Sequence, residues 1–177
     1  MGRWAVLFVP VLLAGALASA AALEVLWVKE YRPFTAYVLP IGACLSGNIL
    51  YVVGETDYTG QLNGFVYMID KNNGSLIKHF IMPNIDGKPN HMTDCVVVNN
   101  YIYVAGWRED DTGRGYGLLI RIPPTLDKID KYVTAYSSYS RRYVFNYDGA
   151  LYLTSYALYK YDYNLNRIFD ILWQYPN

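Results

Sequence analysis

Cys95-Val96-Val97-Val98-Asn99-Asn100-Tyr101-Ile102-Tyr103-Val104-Ala105-Gly106 is the stretch that decides the fold. Two β-branched and aromatic runs flank an Asn-Asn pair. Such runs fit pleated strands, and Asn-Asn supplies the positive-φ residues of a tight hairpin turn. The pattern recurs on both sides. Upstream stand Ala43-Cys44-Leu45, Ser46-Gly47-Asn48 and Ile49-Leu50-Tyr51-Val52-Val53-Gly54. Downstream stand Tyr143-Val144-Phe145-Asn146-Tyr147, Asp148-Gly149 and Ala150-Leu151-Tyr152-Leu153-Thr154-Ser155. Ile49, Tyr101 and Ala150 are equivalent, so the repeat runs near 50 residues.

Each copy continues alike. A polar loop leads to a third strand: Gly64–Asp70, Gly117–Ile122 and Ala157–Asp162. A turn leads to a fourth: Ser75–Ile81, Lys128–Thr134 and Asn166–Trp173. Leu126, Ile129, Tyr132 and Val133 also have helical spacing, but the matching segments of the other copies read as strand. Four antiparallel strands per unit make a propeller blade. The expected fold is all-β: three four-stranded antiparallel propeller-like blades, roughly 43–82, 94–135 and 142–177. One N-terminal strand over Leu23–Tyr31 precedes them, and a signal helix precedes that.

The units resemble secreted β-propeller repeats of the YVTN, PQQ-like and kelch kind. The resemblance is carried most clearly by Gly64-Phe65-Val66-Tyr67-Met68-Ile69-Asp70-Lys71-Asn72-Asn73-Gly74-Ser75, and more loosely by Leu158-Tyr159-Lys160-Tyr161-Asp162. It covers roughly Leu23 to the C-terminus and implies a fold, not an activity. The tryptophan docking residues and adjacent cysteine pair of quinone-binding members are missing. No cofactor is expected.

Residues 1–22 read as a signal peptide: Arg3, an apolar run from Trp4 to Leu17, then Ala18-Ser19-Ala20-Ala21-Ala22. The rival reading is a retained membrane anchor, since Trp4 to Leu23 carries no charge. The expected mature domain is 23–177, secreted or at the cell surface. An oxidising compartment permits a disulfide between Cys44 and Cys95; the alternative is two buried thiols. Asn73-Gly74-Ser75 makes Asn73 a glycosylation candidate. Fifteen basic residues balance fifteen acidic ones, which argues against a nucleic-acid partner.

Strand alternation puts the long loops at one end, where binding usually sits. The binding-face candidates are Glu55, Asp57, His91, Asp94, Arg108, Glu109, Asp110 and Asp111. The carboxylates are weighed as Ca²⁺ ligands and read instead as a solvated rim, so no metal is expected. His91 with Asp94 is the pair an extracellular hydrolase or lyase would use as base and orienting group. No Ser or Cys nucleophile motif stands beside them, and no catalytic residue is assigned.

The favoured function is a non-enzymatic binding or assembly module. Nineteen tyrosines suit blade packing and interfaces, with a surface protein or a carbohydrate as a partner. Three blades leave two outer faces, assigned to Ile49, Tyr51 and Val53 at one end and Leu151, Leu153 and Tyr159 at the other. A homo-oligomer is expected, a dimer completing a six-bladed ring being the first form considered.

Overall fold

A computed structural model describes residues 27–29, 37–112, 114–136, 142–154 and 157–172. The described part is all-β. The first sheet comprises β1 (Val38–Ser46), β2 (Ile49–Thr56), β3 (Asn63–Asp70) and β4 (Leu76–Ile81). The second comprises β5 (Asn90–Val98), β6 (Tyr101–Glu109), β7 (Gly115–Ile122) and β8 (Lys131–Tyr136). The third comprises β9 (Tyr143–Tyr147), β10 (Ala150–Thr154), β11 (Ala157–Tyr161) and β12 (Arg167–Leu172). Each is a four-stranded antiparallel meander in sequence order. Residues 126–129, read above as part of a fourth strand or a helix, precede β8 instead.

The three hairpin turns form where the sequence puts them. Ser46 pairs with Ile49, Val98 with Tyr101 and Tyr147 with Ala150. Positive φ falls on Gly47, on Asn99 and Asn100, and on Asp148 and Gly149. Gly, Asn and Asp tolerate this region, and two-residue hairpins need it to match strand twist. The first strands of blades one and two begin earlier than alternation suggests, because pairing continues past a β-bulge. The bulges lie between Pro40 and Gly42 and between Met92 and Asp94. Gly54 and Gly106 accommodate the bulged carbonyls: an added Cβ would lie 2.0 Å from Leu39 O and 2.1 Å from His91 O.

The sheets stack face to face like propeller blades, and the two joints share one design. Blade two turns Ile102, Val104, Leu118, Ile120 and Ile122 onto blade one, against Tyr51, Val53 and Val66. Blade three turns Leu151, Leu153, Ala157, Tyr159 and Tyr161 onto blade two, against Tyr103, Ala105 and Leu119. At each joint the turn after the third strand adds a leucine to the core. Leu126 (φ 50°) enters the first core and Leu165 (φ 59°) the second, both almost fully buried. A left-handed backbone costs a leucine about 1–2 kcal/mol. Burying the side chain contributes about 1.5–3 kcal/mol, so the position is tolerated when the core is there to receive it.

Basic side chains of the preceding blade grip the same turns. Lys78 Nζ donates to Thr125 O at 2.6 Å. Lys131 Nζ donates to Asn164 O at 2.5 Å, and Arg121 Nη1 to Tyr163 O at 2.9 Å. Tyr103 Oη also donates to Tyr163 O, at 2.7 Å. Near the axis, β1 and β5 nearly touch: a Cβ on Gly42 would lie 2.5 Å from Thr93 O.

The two end faces are opposite to those expected. Tyr51 and Val53 face blade two, with Ile49 packed on the same core. Leu151, Leu153 and Tyr159 also face blade two. The outward face of blade one is instead Leu50, Val52, Phe65, Tyr67 and Ile69, all buried, with Trp27 packed against them. Trp27 Nε1 donates to Lys71 O at 2.7 Å, and its ring lies where a Cβ on Gly74 would be. Of the expected N-terminal strand, only 27–29 is described, and those residues are not strand. The signal segment, 1–22, lies outside the described residues. Among the described residues no helix is long and apolar enough to cross a membrane.

Cys44 and Cys95 are bonded, joining β1 to β5 across the first joint with Cα atoms 5.6 Å apart. The 51-residue separation gives a chain-entropy stabilisation of about 4 kcal/mol. Reduction under native conditions is therefore expected to lower unfolding free energy by about 2–4 kcal/mol. Denaturant titration with and without a thiol reductant measures this; coincident curves would contradict it.

Candidate functional site

The long-loop end holds the sequence-derived candidates, and the structure divides them. His91 and Asp94 are not in a loop: both lie on β5, on either side of its bulge. His91 turns towards blade one. Its Nδ1 is 2.6 Å from Glu55 Oε2, and its ring stacks on Trp107 at 3.9 Å between centroids. Asp94 turns towards blade three, where its Oδ2 accepts the Val144 N–H at 2.9 Å. They engage different blades, so the expected His91–Asp94 dyad does not form. The carboxylate beside His91 is Glu55, and the pair bridges two blades. His91 retains only 10% of its side-chain exposure and Glu55 17%.

Burial pushes the Asp94 carboxyl above its ordinary range, against opposing hydrogen bonds from the Val144 and Cys95 N–H groups. Its neighbour Thr93 donates through Oγ1 to Arg142 O at 2.6 Å. Arg142 is fully buried.

The other charged candidates are engaged locally. Asp57 Oδ1 accepts the Tyr37 N–H at 2.8 Å. Arg108 Nη2 lies 3.0 Å from Asp86 Oδ2, and Tyr132 Oη donates to Asp86 Oδ1 at 2.6 Å. Asp111 pairs with Lys88. Asp86 and Lys88 belong to the tight turn between the first two blades, so these contacts pin that turn to blade two. Asp110 Oδ1 accepts from Thr112 Oγ1, Thr112 N and Arg114 N. The Thr112 hydroxyl, followed by the Arg114 N–H, holds its carboxyl below the usual range. Glu109 is exposed at the end of β6. Among the described residues no group of three or more His, Cys, Asp or Glu is placed to hold a metal. An open groove of about 970 Å³ runs from Tyr58, Thr59, Gln61 and Asn63 past Phe80–Asn84 to Asp127–Ile129. Asn73 is exposed in the turn after β3, where its Oδ1 accepts the Ser75 N–H at 2.8 Å.

The described tyrosines serve both core and surface. Tyr51, Tyr67, Tyr103, Tyr159 and Tyr161 are buried, and burial raises the Tyr67 and Tyr161 phenols to about 12. Tyr143, Tyr147 and Tyr152 lie instead on a surface that alternation alone does not reveal, the outward face of blade three. Tyr143 is 52% exposed, Phe145 43%, Tyr147 68%, Phe169 39% and Ile171 48%. Register places Phe145, Tyr152, Lys160 and Phe169 in one row across the sheet. Phe145 stacks on Tyr152 at 5.2 Å, and Lys160 Nζ lies 5.5 Å from the Tyr152 ring centre and 5.6 Å from that of Phe169. Tyr152 is the equivalent of Tyr51 and Tyr103, each buried by the next blade in sequence.

No protein-family model matches the sequence, and no curated protein matches it. Solved structures with a similar fold include a neuraminidase-like protein from A/bat/Guatemala/164/2009, with TM-score 0.47, 11% identity and coverage of 71% of this chain and 36% of that one. A subtype N10 neuraminidase-like protein of A/little yellow-shouldered bat/Guatemala/060/2010 gives 0.48, 11%, 71% and 42%. BamB from Moraxella catarrhalis gives 0.40, 8%, 86% and 56%. The chain thus spans between about a third and just over half the length of these proteins.

Asp94 gives a test of the second joint. Its raised pKa means that its favourable contribution is complete below the ordinary value of 3.8 and is lost as pH rises through the folded-state value. Asp94→Asn keeps an acceptor for Val144 and removes the buried charge. The melting temperature of the variant relative to the native chain is expected to rise as pH passes upward through that window. Thermal melts from acid to neutral pH check this; a pH-independent difference would contradict it.

Proposed function

We propose that the chain is an exported, non-enzymatic binding or assembly module of the cell surface or extracellular space, acting through the outward face of blade three. The observation that carries the reading is that exposed face of four aromatic rings and one isoleucine. Contiguous apolar patches on exported proteins mark interaction sites, and tyrosine and phenylalanine are enriched in interface cores. The partner is a second copy of the chain, with a surface protein or carbohydrate as the further classes. The signal-like segment at 1–22 supports export, and exposure of Asn73 supports its availability for glycosylation.

One observation favours an enzyme, a hydrolase or lyase built on His91: a carboxylate stands within hydrogen-bond distance of it. Against that reading, the pair is shielded beneath Trp107 and spans a blade joint, the position of a structural tie. Asp94 serves the other joint.

Mature chain, recovered from the medium and fluorescently labelled, tests the proposal on the surface of the producing cells. N-terminal sequencing is expected to start near Ala21–Leu23, with saturable binding lost in Tyr147→Lys. Recovery only from the cytoplasm with Met1 intact, or equal binding by the variant, would overturn it.

A further inference from the structure

The two ends of the blade stack differ, and the difference limits how copies can join. The outward face of blade one is closed: Leu50, Val52, Phe65, Tyr67 and Ile69 are each at most 4% exposed. The outward face of blade three is open. It presents the same positions that receive the next blade at both internal joints. Tyr51 and Tyr103 become Tyr152, Val66 and Leu119 become Leu158, and Met68 and Arg121 become Lys160.

We infer that the outward face of blade three is a self-association surface, pairing with the same face of a second copy about a two-fold axis. The inference rests on the binding-module reading above and names its partner. A six-bladed ring needs blade one of each copy to meet blade three of the other, and the closed face of blade one does not offer that contact. Joining open face to open face needs no rearrangement. It places a closed blade-one face at each end, so the assembly stops at two copies and cannot grow into a filament.

The area and charge of the face agree with this. Five large side chains at roughly half exposure present on the order of 500 Å² per copy, or about 1,000 Å² per pair, the lower bound for a specific interface. Tyr152 and Leu158, both partly exposed, enlarge it. The single cation of the row, Lys160, already lies against Tyr152 and Phe169, which lowers the cost of covering it. The row Tyr143, Thr154, Leu158 and Ile171 is uncharged. A two-fold axis on that row keeps the two Lys160 groups apart.

Sedimentation equilibrium on the oxidised mature chain tests the inference, with Tyr147→Lys on blade three and Leu45→Lys on blade one. Both positions are exposed, so both variants are expected to fold, which circular dichroism verifies. The expected result is a native dimer at micromolar concentration that does not grow further. Tyr147→Lys is expected to weaken association at least tenfold, with Leu45→Lys unchanged. A monomeric native chain, open-ended growth, or equal loss in both variants would overturn the two-fold pairing. A monomer that still binds cells through blade three would leave the module reading standing. A dimer that is not exported would do the reverse.

Discussion

Each joint between blades depends on a leucine held in a left-handed turn and sealed into the preceding blade. Leu126 and Leu165 accept an unfavourable backbone because the facing sheet removes their side chains from water. The turn exposes its carbonyls towards the same sheet, and Lys78, Lys131, Arg121 and Tyr103 donate to them. Apolar burial supplies most of the energy of such a joint, while the polar grip on the turn fixes how far one sheet slides over the next. Both joints also carry a tie near the axis, the Cys44–Cys95 disulfide in one and the Asp94–Val144 hydrogen bond in the other.

Blade one has Gly74 where the other blades have the turn leucine, and Trp27 occupies the space beside it. Its outward face is therefore finished within the chain. Blade three keeps the receiving half of a joint, with Tyr152 and Lys160 in place and, among the described residues, no further blade against them. Function is sought at this end for that reason: it is the one place where the repeat leaves its recurrent contact unfilled among the described residues.

Strands and hairpins were readable from sequence because local chemistry fixes them. Gly47, Asn99-Asn100 and Asp148-Gly149 adopt positive φ by their own nature, and the β-branched runs beside them have few other uses. Face direction was not readable. In the second strands both sets of alternating residues are apolar, as in Leu50 beside Tyr51 and Ile102 beside Tyr103, so alternation cannot say which set points outward. The bulges were invisible too, since one extra residue between Met92 and Asp94 leaves no compositional mark, yet it shifts the register of β5 against β6. Leu126 shares helical spacing with Ile129, Tyr132 and Val133, and leucine rarely takes a left-handed turn; only the facing blade makes that conformation acceptable. The partnership of Glu55 with His91 joins residues 36 positions apart in successive units and follows only from the stacking of those units.

The central claim is that the turn leucines hold the blades together, and Leu165→Ala measures it most directly. Alanine keeps the strained φ of leucine, so the change reports the buried side chain rather than the backbone. Equilibrium denaturation of the oxidised chain is expected to show a loss of about 2–5 kcal/mol. A loss below about 0.5 kcal/mol, the size of an ordinary surface substitution, would contradict the account.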